Sequence, residues 1–207
     1  MSISTGEIIN NNSYKHLLTI SYDNIVPFVF EYIKKRTYVL STVVFILILN
    51  IIGLVWFRFT LADQYQFKQV VLHSVIGFVL IPLLLIVPHE LMHILPYYLF
   101  GARDIRIGAN WRDAYFYVTA DQFPVTGRQF VTIAAAPAFL ITAMLVALLF
   151  FTDPLWKWSI ACSVLAHLTM CAGDMALINF IVVQGDKKIL TWDDTEKREA
   201  YFYQDVN

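Results

Sequence analysis

Pro88-His89-Glu90-Leu91-Met92-His93 lies inside an apolar run over residues 69–100. Residues four apart on a helix share a face, so a helical 88–93 turns His89 and His93 toward one point. Two imidazole nitrogens there suit a divalent cation. Zinc suits best, because catalytic zinc takes three protein ligands and keeps a fourth position for water. Glu90, beside the first ligand, is placed to take a proton from that water. The same three residues also fall at this spacing by chance, in about one chain of this length in a hundred. The setting weighs against chance, since ionisable side chains in a membrane segment are costly and mark function.

The surrounding chain is that of a membrane protein. Its 207 residues are 58% hydrophobic and 15% charged, with a mean hydropathy of +0.59. Soluble domains average about 45–50% apolar and about 25% charged. The excess is gathered in blocks at 39–57, 69–100, 130–151 and 158–183. About 20 apolar residues cross a hydrocarbon core of about 30 Å, so each block is a candidate span. The second is longer than one crossing needs, and Pro82, Pro88 and Pro96 predict a kink or a break in it. Residues 101–129 are polar, with turn signals at Gly108-Ala109-Asn110. Within them Ala114-Tyr115-Phe116-Tyr117-Val118-Thr119 predicts a strand or hairpin. The expected fold is an all-α membrane protein of about four transmembrane helices, with a small β-hairpin between the second and third.

The chain reads as one domain over residues 1–207. Residues 1–24 are expected to be a flexible tail without a cleavable signal. Residues 184–207 are expected to be a polar tail, with Thr191 and Asp194 spaced to cap a short helix at 191–200. Cys162 and Cys171 stand nine residues apart on one expected helix. That is about 13 Å, too far for a disulfide, so both should be free thiols. A net charge of −1 gives no case for nucleic acid, and the lipid bilayer is the expected partner. Residues 1–38, 101–129 and 184–207 hold four Lys or Arg each, against Arg58, Lys68 and Lys157 in the opposite loops. This bias places both termini in the cytoplasm.

Two histidines do not complete a catalytic zinc site. The apolar blocks contain two carboxylates, Glu90 and Asp174, so Asp174 is the leading third ligand. The helical rise puts it at the same depth as the histidine pair, about 10–16 Å below the cytoplasmic surface. His167 competes. It shares a helix face with Asp174 but would lie about 10 Å further from the cytoplasm. It is a candidate ligand, a group orienting a ligand, a transition-state donor or a structural hydrogen-bonder. Cys171 reads as a packing residue, and His73, about 24 Å along a straight helix from His89, as a core or interfacial one.

These residues resemble the site-2 protease class of intramembrane zinc proteases, and most closely the bacterial families of zincin-like membrane peptidases. The resemblance covers about residues 69–183. His89-Glu90-Leu91-Met92-His93 carries it first. Ala134-Ala135-Ala136-Pro137-Ala138-Phe139 is similar to the class's small-Gly-Pro-x-x-Asn motif on the following span. Gly173-Asp174 stands where the class carries its ligand Asp. Ala136 replaces the motif's Gly, and Phe139 replaces an Asn thought to assist substrate binding or the oxyanion. Asp174 is preceded by Gly rather than followed by it. The resemblance implies zinc, a bacterial cell membrane, and hydrolysis of peptide bonds in or next to transmembrane segments of a membrane protein or peptide. Strand residues Tyr115 and Tyr117 are candidates to hold an unwound substrate by edge pairing, or else the hairpin only packs over the site. Two other readings stay open: a non-catalytic zinc scaffold or decayed peptidase, and a hydrolase of a lipid or small amide.

Overall fold

A computed structural model describes residues 4–110 and 115–206, the side chains of Asn110 and Tyr115 excepted. In chain order come α1 (Thr5–Asn10), β1 (Tyr14–Ser21), α2 (Ile25–Tyr32), α3 (Tyr38–Ala62), α4 (Phe67–Val75) and a π-helical turn at Ile76–Leu80. There follow α5 (Ile81–Met92), α6 (Ile94–Leu99), β2 (Ile105–Asn110), β3 (Tyr115–Ala120), β4 (Val125–Thr126), α7 (Gly127–Leu148), α8 (Pro154–Met170), α9 (Ala172–Val183), β5 (Lys188–Asp194) and β6 (Glu199–Asp205). The chain is mostly helical, with small antiparallel sheets. Among the described residues, Tyr38–Ala62, Phe67–Leu99 and Gly127–Leu148 are long and apolar enough to cross a membrane. A fourth joins them if α8 and α9 form one broken span. On α3, Val44, Phe45, Ile48, Ile51, Ile52 and Val55 are all exposed. A helix apolar on every side belongs against lipid, which points to a multi-pass membrane protein.

The contacts divide the chain into two compact units. One comprises Tyr38–His89 and Pro137–Ala172, with a core of Leu54, Leu61, Val70, Trp158 and Cys162. In lipid, helices associate through close backbone approach and hydrogen bonds rather than through hydrophobic driving force. Gly77, in the π-helical turn, shows this. A Cβ there would stand 2.3 Å from the Ser159 carbonyl oxygen and 2.7 Å from Cys162 Cβ. Around it Ser163 Oγ donates to the Gly77 carbonyl at 3.0 Å and Ser159 Oγ to the His73 carbonyl at 2.9 Å. Trp158 Nε1 donates to Ser74 Oγ at 2.8 Å. His73 therefore sits in this helix contact, its Nδ1 2.8 Å from Ser159 Oγ.

The other unit comprises Met1–Thr37, Glu90–Ala136 and Gly173–Asn207. Here the structure departs from the expected tails. Its main sheet is antiparallel in the order β1-β6-β5-β4, with Tyr14 paired to Asp205 and Glu199 to Asp194. The expected helix at 191–200 is strand, turn and strand. Aromatic and β-branched residues at period two outweigh the capping pattern: Trp192 stacks on Tyr201 and Tyr203, while Phe202 is buried on the opposite face. Asp194 instead caps the turn, accepting from the Lys197 amide at 3.0 Å. Ile20, Ile189 and Phe202 pack with Phe28 of α2 and with Ala176 and Phe180 of α9. Asn179, fully buried, donates from Nδ2 to the carbonyls of Tyr32 (2.6 Å) and Lys35 (2.8 Å), and so holds the end of α2 on α9. β2 and β3 pair in a second, two-stranded sheet. Ala114, the first residue of the strand expected here, lies outside the described residues.

Asp193, on β5, accepts from Tyr22 Oη at 2.8 Å and from the Thr119 hydroxyl. Loss of water raises its carboxyl pKa, the two hydroxyls hold the rise back, and the charge of Asp121 adds to it. The folded state thus favours the protonated form. That contribution is whole below the ordinary value of about 3.9 and is lost as pH climbs through the raised one.

Gly77→Ala should cost about 1–3 kcal/mol through overpacking against backbone. Gly53→Ala, which meets nothing within 4 Å, should be neutral or slightly stabilising. Thermal unfolding in detergent compares the two, and equal melting temperatures would refute the close approach. In the same assay Asp193→Asn should flatten the decline of melting temperature with rising pH. An unaltered pH profile would show that Asp193 does not titrate in the fold.

Candidate metal centre

The helix that carries the histidines ends because of Pro96. Proline lacks the N–H that would meet the Met92 carbonyl and its ring crowds that carbonyl, so α5 stops at Met92 and α6 begins at Ile94. His93 occupies the step between them and is buried. Its Nδ1 lies 2.9 Å from the carbonyl oxygen of Ile133. A carbonyl only accepts, so Nδ1 carries the proton and Nε2 holds the lone pair. Metal-binding histidines are commonly oriented in this way, by a hydrogen bond from the other ring nitrogen.

The Ile133 carbonyl has a reason to be available. Pro137 is the proline inside α7, and the carbonyl four residues before it is that of Ile133. The helix's own donor is missing there, and His93 supplies one. Phe139, at the position where the resembled class has Asn, is 73% exposed.

His93 Nε2 faces Asp174 Oδ1 at 3.6 Å. That exceeds an ordinary hydrogen bond of about 2.7–3.2 Å. It fits two ligands of one tetrahedral ion, whose edges are about 3.3–3.5 Å for bonds of about 2.0–2.2 Å. Asp174 stands in the first turn of α9, where the helix dipole favours a carboxylate. Imidazole and carboxylate are suitable zinc donors, so the residues present fit the metal. Glu90 is half-buried and belongs to the same compact unit as His93 and Asp174.

In the other unit His89 is buried with its Nδ1 3.4 Å from His167 Nε2. Cys171 Sγ lies 4.0 Å from His89 Nδ1 and 3.9 Å from His167 Nε2. Thr142 Oγ1 stands 3.5 Å from His167 Nδ1. The structure therefore brings His167 to His89. Cys171 thus stands beside both imidazoles, and neither cysteine is in a disulfide. The spacing of Cys171 from His167, four residues, was the available signal.

Tyr117 packs within its own unit, its ring 5.1 Å from that of Tyr22 and lying across Gly108, whose Cβ position its ring occupies. The Tyr115 side chain lies outside the described residues.

Pro137→Ala restores the donor to the Ile133 carbonyl and weakens its hold on His93. Zinc affinity, measured against a chelating dye, should fall about tenfold. Unchanged affinity would remove Pro137 from the site.

Residues 82–188 match the model of a family described as "Putative zincin peptidase". The match runs from α5 to the first residue of β5 and takes in His89, Glu90, His93, Ile133, Pro137 and Asp174. Neither a curated protein nor a solved structure matches the chain.

Proposed function

The chain belongs to the putative zincin peptidase family, and on that premise we propose a membrane-embedded zinc endopeptidase in which His89, His93 and Asp174 hold the metal and Glu90 is the general base. The carrying observation is His93, fixed by the Ile133 carbonyl with Nε2 toward Asp174. His89 lies in α5, four residues before His93 in sequence, the spacing at which a helical pair shares a metal. Bound zinc supplies Lewis acidity, polarising a peptide carbonyl and acidifying water. Glu90 takes the proton of the attacking water and delivers it to the leaving amine. The substrate is a membrane protein or peptide, cleaved in or beside its apolar segment after local unwinding. In this reading the Tyr115–Ala120 strand holds the extended segment by edge pairing.

Strand pairing supports four crossings. β1, which precedes α3, pairs with β6, which follows α9, and β4 pairs with β5. Paired strands share one face of a membrane, so an even number of crossings separates β1 from β4 and β4 from β5. Two before the Ile105–Ala120 hairpin and two after it satisfy this. With twelve of fifteen Lys and Arg on that face, it is the cytoplasmic one, in a bacterial cell membrane.

A non-catalytic zinc scaffold is the second reading, favoured by the outward Phe139 where an Asn would assist the reaction. Glu90→Gln separates the two. It should keep full zinc and lower cleavage of an apolar peptide substrate at least about a hundredfold. Cleavage at the wild-type rate would exclude Glu90 as base. In the same preparations Asp174→Ala should lose zinc, and full zinc there would move the third ligand elsewhere.

A further inference from the structure

His89 Nδ1, His167 Nε2 and Cys171 Sγ converge, and all three residues are at least nine-tenths buried. Their spacings of 3.4, 3.9 and 4.0 Å are long for hydrogen bonds. They are close to the edges of a trigonal or tetrahedral ion. Bonds of about 2.0–2.1 Å to nitrogen and about 2.3 Å to sulfur give edges of about 3.3–3.6 Å between nitrogens and about 3.6–3.8 Å to sulfur. The sulfur needs to move only a few tenths of an ångström.

Two further features fit. His167 and Cys171 are four residues apart at the end of α8, one helix face. Thr142 Oγ1, 3.5 Å from His167 Nδ1, can accept from that nitrogen and leave the Nε2 lone pair facing the cluster. The thiol lies 3.2 Å from its own helix's His167 carbonyl, to which it can donate. On metal binding the S–H proton is released to solvent and a metal–thiolate bond forms.

We propose that His89, His167 and Cys171 form a second metal site, for a soft, thiophilic cation, separate from the histidine–carboxylate site. Thiolate and imidazole ligands in this number select such ions over the hard ones. A neutral imidazole has one lone pair, so His89 cannot serve this site and the peptidase zinc together. A soft cation here therefore withdraws His89 from the zinc. That consequence alone rests on the proposed peptidase site, whereas binding itself does not.

The probe is Cd2+ added to the full chain in detergent. A thiolate-to-cadmium absorption band should saturate at one equivalent and protect one thiol from a maleimide. Cys171→Ala should abolish the band, and Cys162→Ala and Asp174→Ala should keep it. His167→Asn should weaken binding at least about tenfold. Because a substitution can unfold the chain, protection of a wild-type thiol, mapped by peptide mass, is the independent reading. No band, protection of Cys162 rather than Cys171, or a band lost in Asp174→Ala but kept in Cys171→Ala overturns the site. In the zinc-loaded protein, cadmium should release one zinc as the band grows. Full zinc retention at saturating cadmium overturns the sharing of His89, and the zinc content of Asp174→Ala reports on the peptidase site separately.

Discussion

A carbonyl freed from a helix ladder inside a bilayer has no water to turn to, and this constraint shapes both units. Where Pro137 interrupts α7, the Ile133 carbonyl is met by His93. Where the helix widens at Ile76–Leu80, the Gly77 carbonyl is met by Ser163. Outside the spans, where α2 ends, Asn179 adds the same kind of donor to the Tyr32 and Lys35 carbonyls. The first of these does two things at once. It satisfies a backbone acceptor, and it fixes which nitrogen of His93 is left for a metal. A proline on one helix thereby sets the tautomer of a histidine on another.

The peptidase family was legible because most of the motif that suggests it is local. His89, Glu90 and His93 lie within five residues, and Asp174 stands out as one of two carboxylates in the apolar blocks. The role of Pro137 was not legible from the proline alone, because it depends on which distant donor reaches the freed carbonyl. His167 ranked below Asp174 as a ligand on an assumption of uniform helical rise. The break at Cys171 removes that assumption, and the residue sits against His89. Cys171 reads as small and apolar in sequence; its four-residue spacing from His167 is visible there, but His89, 82 residues away, is not.

The sheet was hidden for a different reason. Tyr14–Ser21 and Glu199–Asp205 are each short, half-polar and far apart in sequence, so neither shows a buried face by itself. Strand propensity there reflects cross-strand partners such as Trp192 with Tyr201 and Tyr203, which no window of sequence contains. The capping signal at Thr191 and Asp194 was real in composition but served a turn instead of a helix.

β1 precedes the first apolar helix and β6 follows the last, so the two can pair only after every apolar segment has been made. Closing so long a loop costs entropy that is recovered only when the strands and their core meet. α9, which carries Asp174, packs that core through Ala176 and Phe180. The carboxylate opposite His93 is thus held by an element whose packing depends on the last strands to form. His89 and His93 come from one short stretch of chain and Asp174 from an element packed on the sheet, so the proposed zinc site needs both.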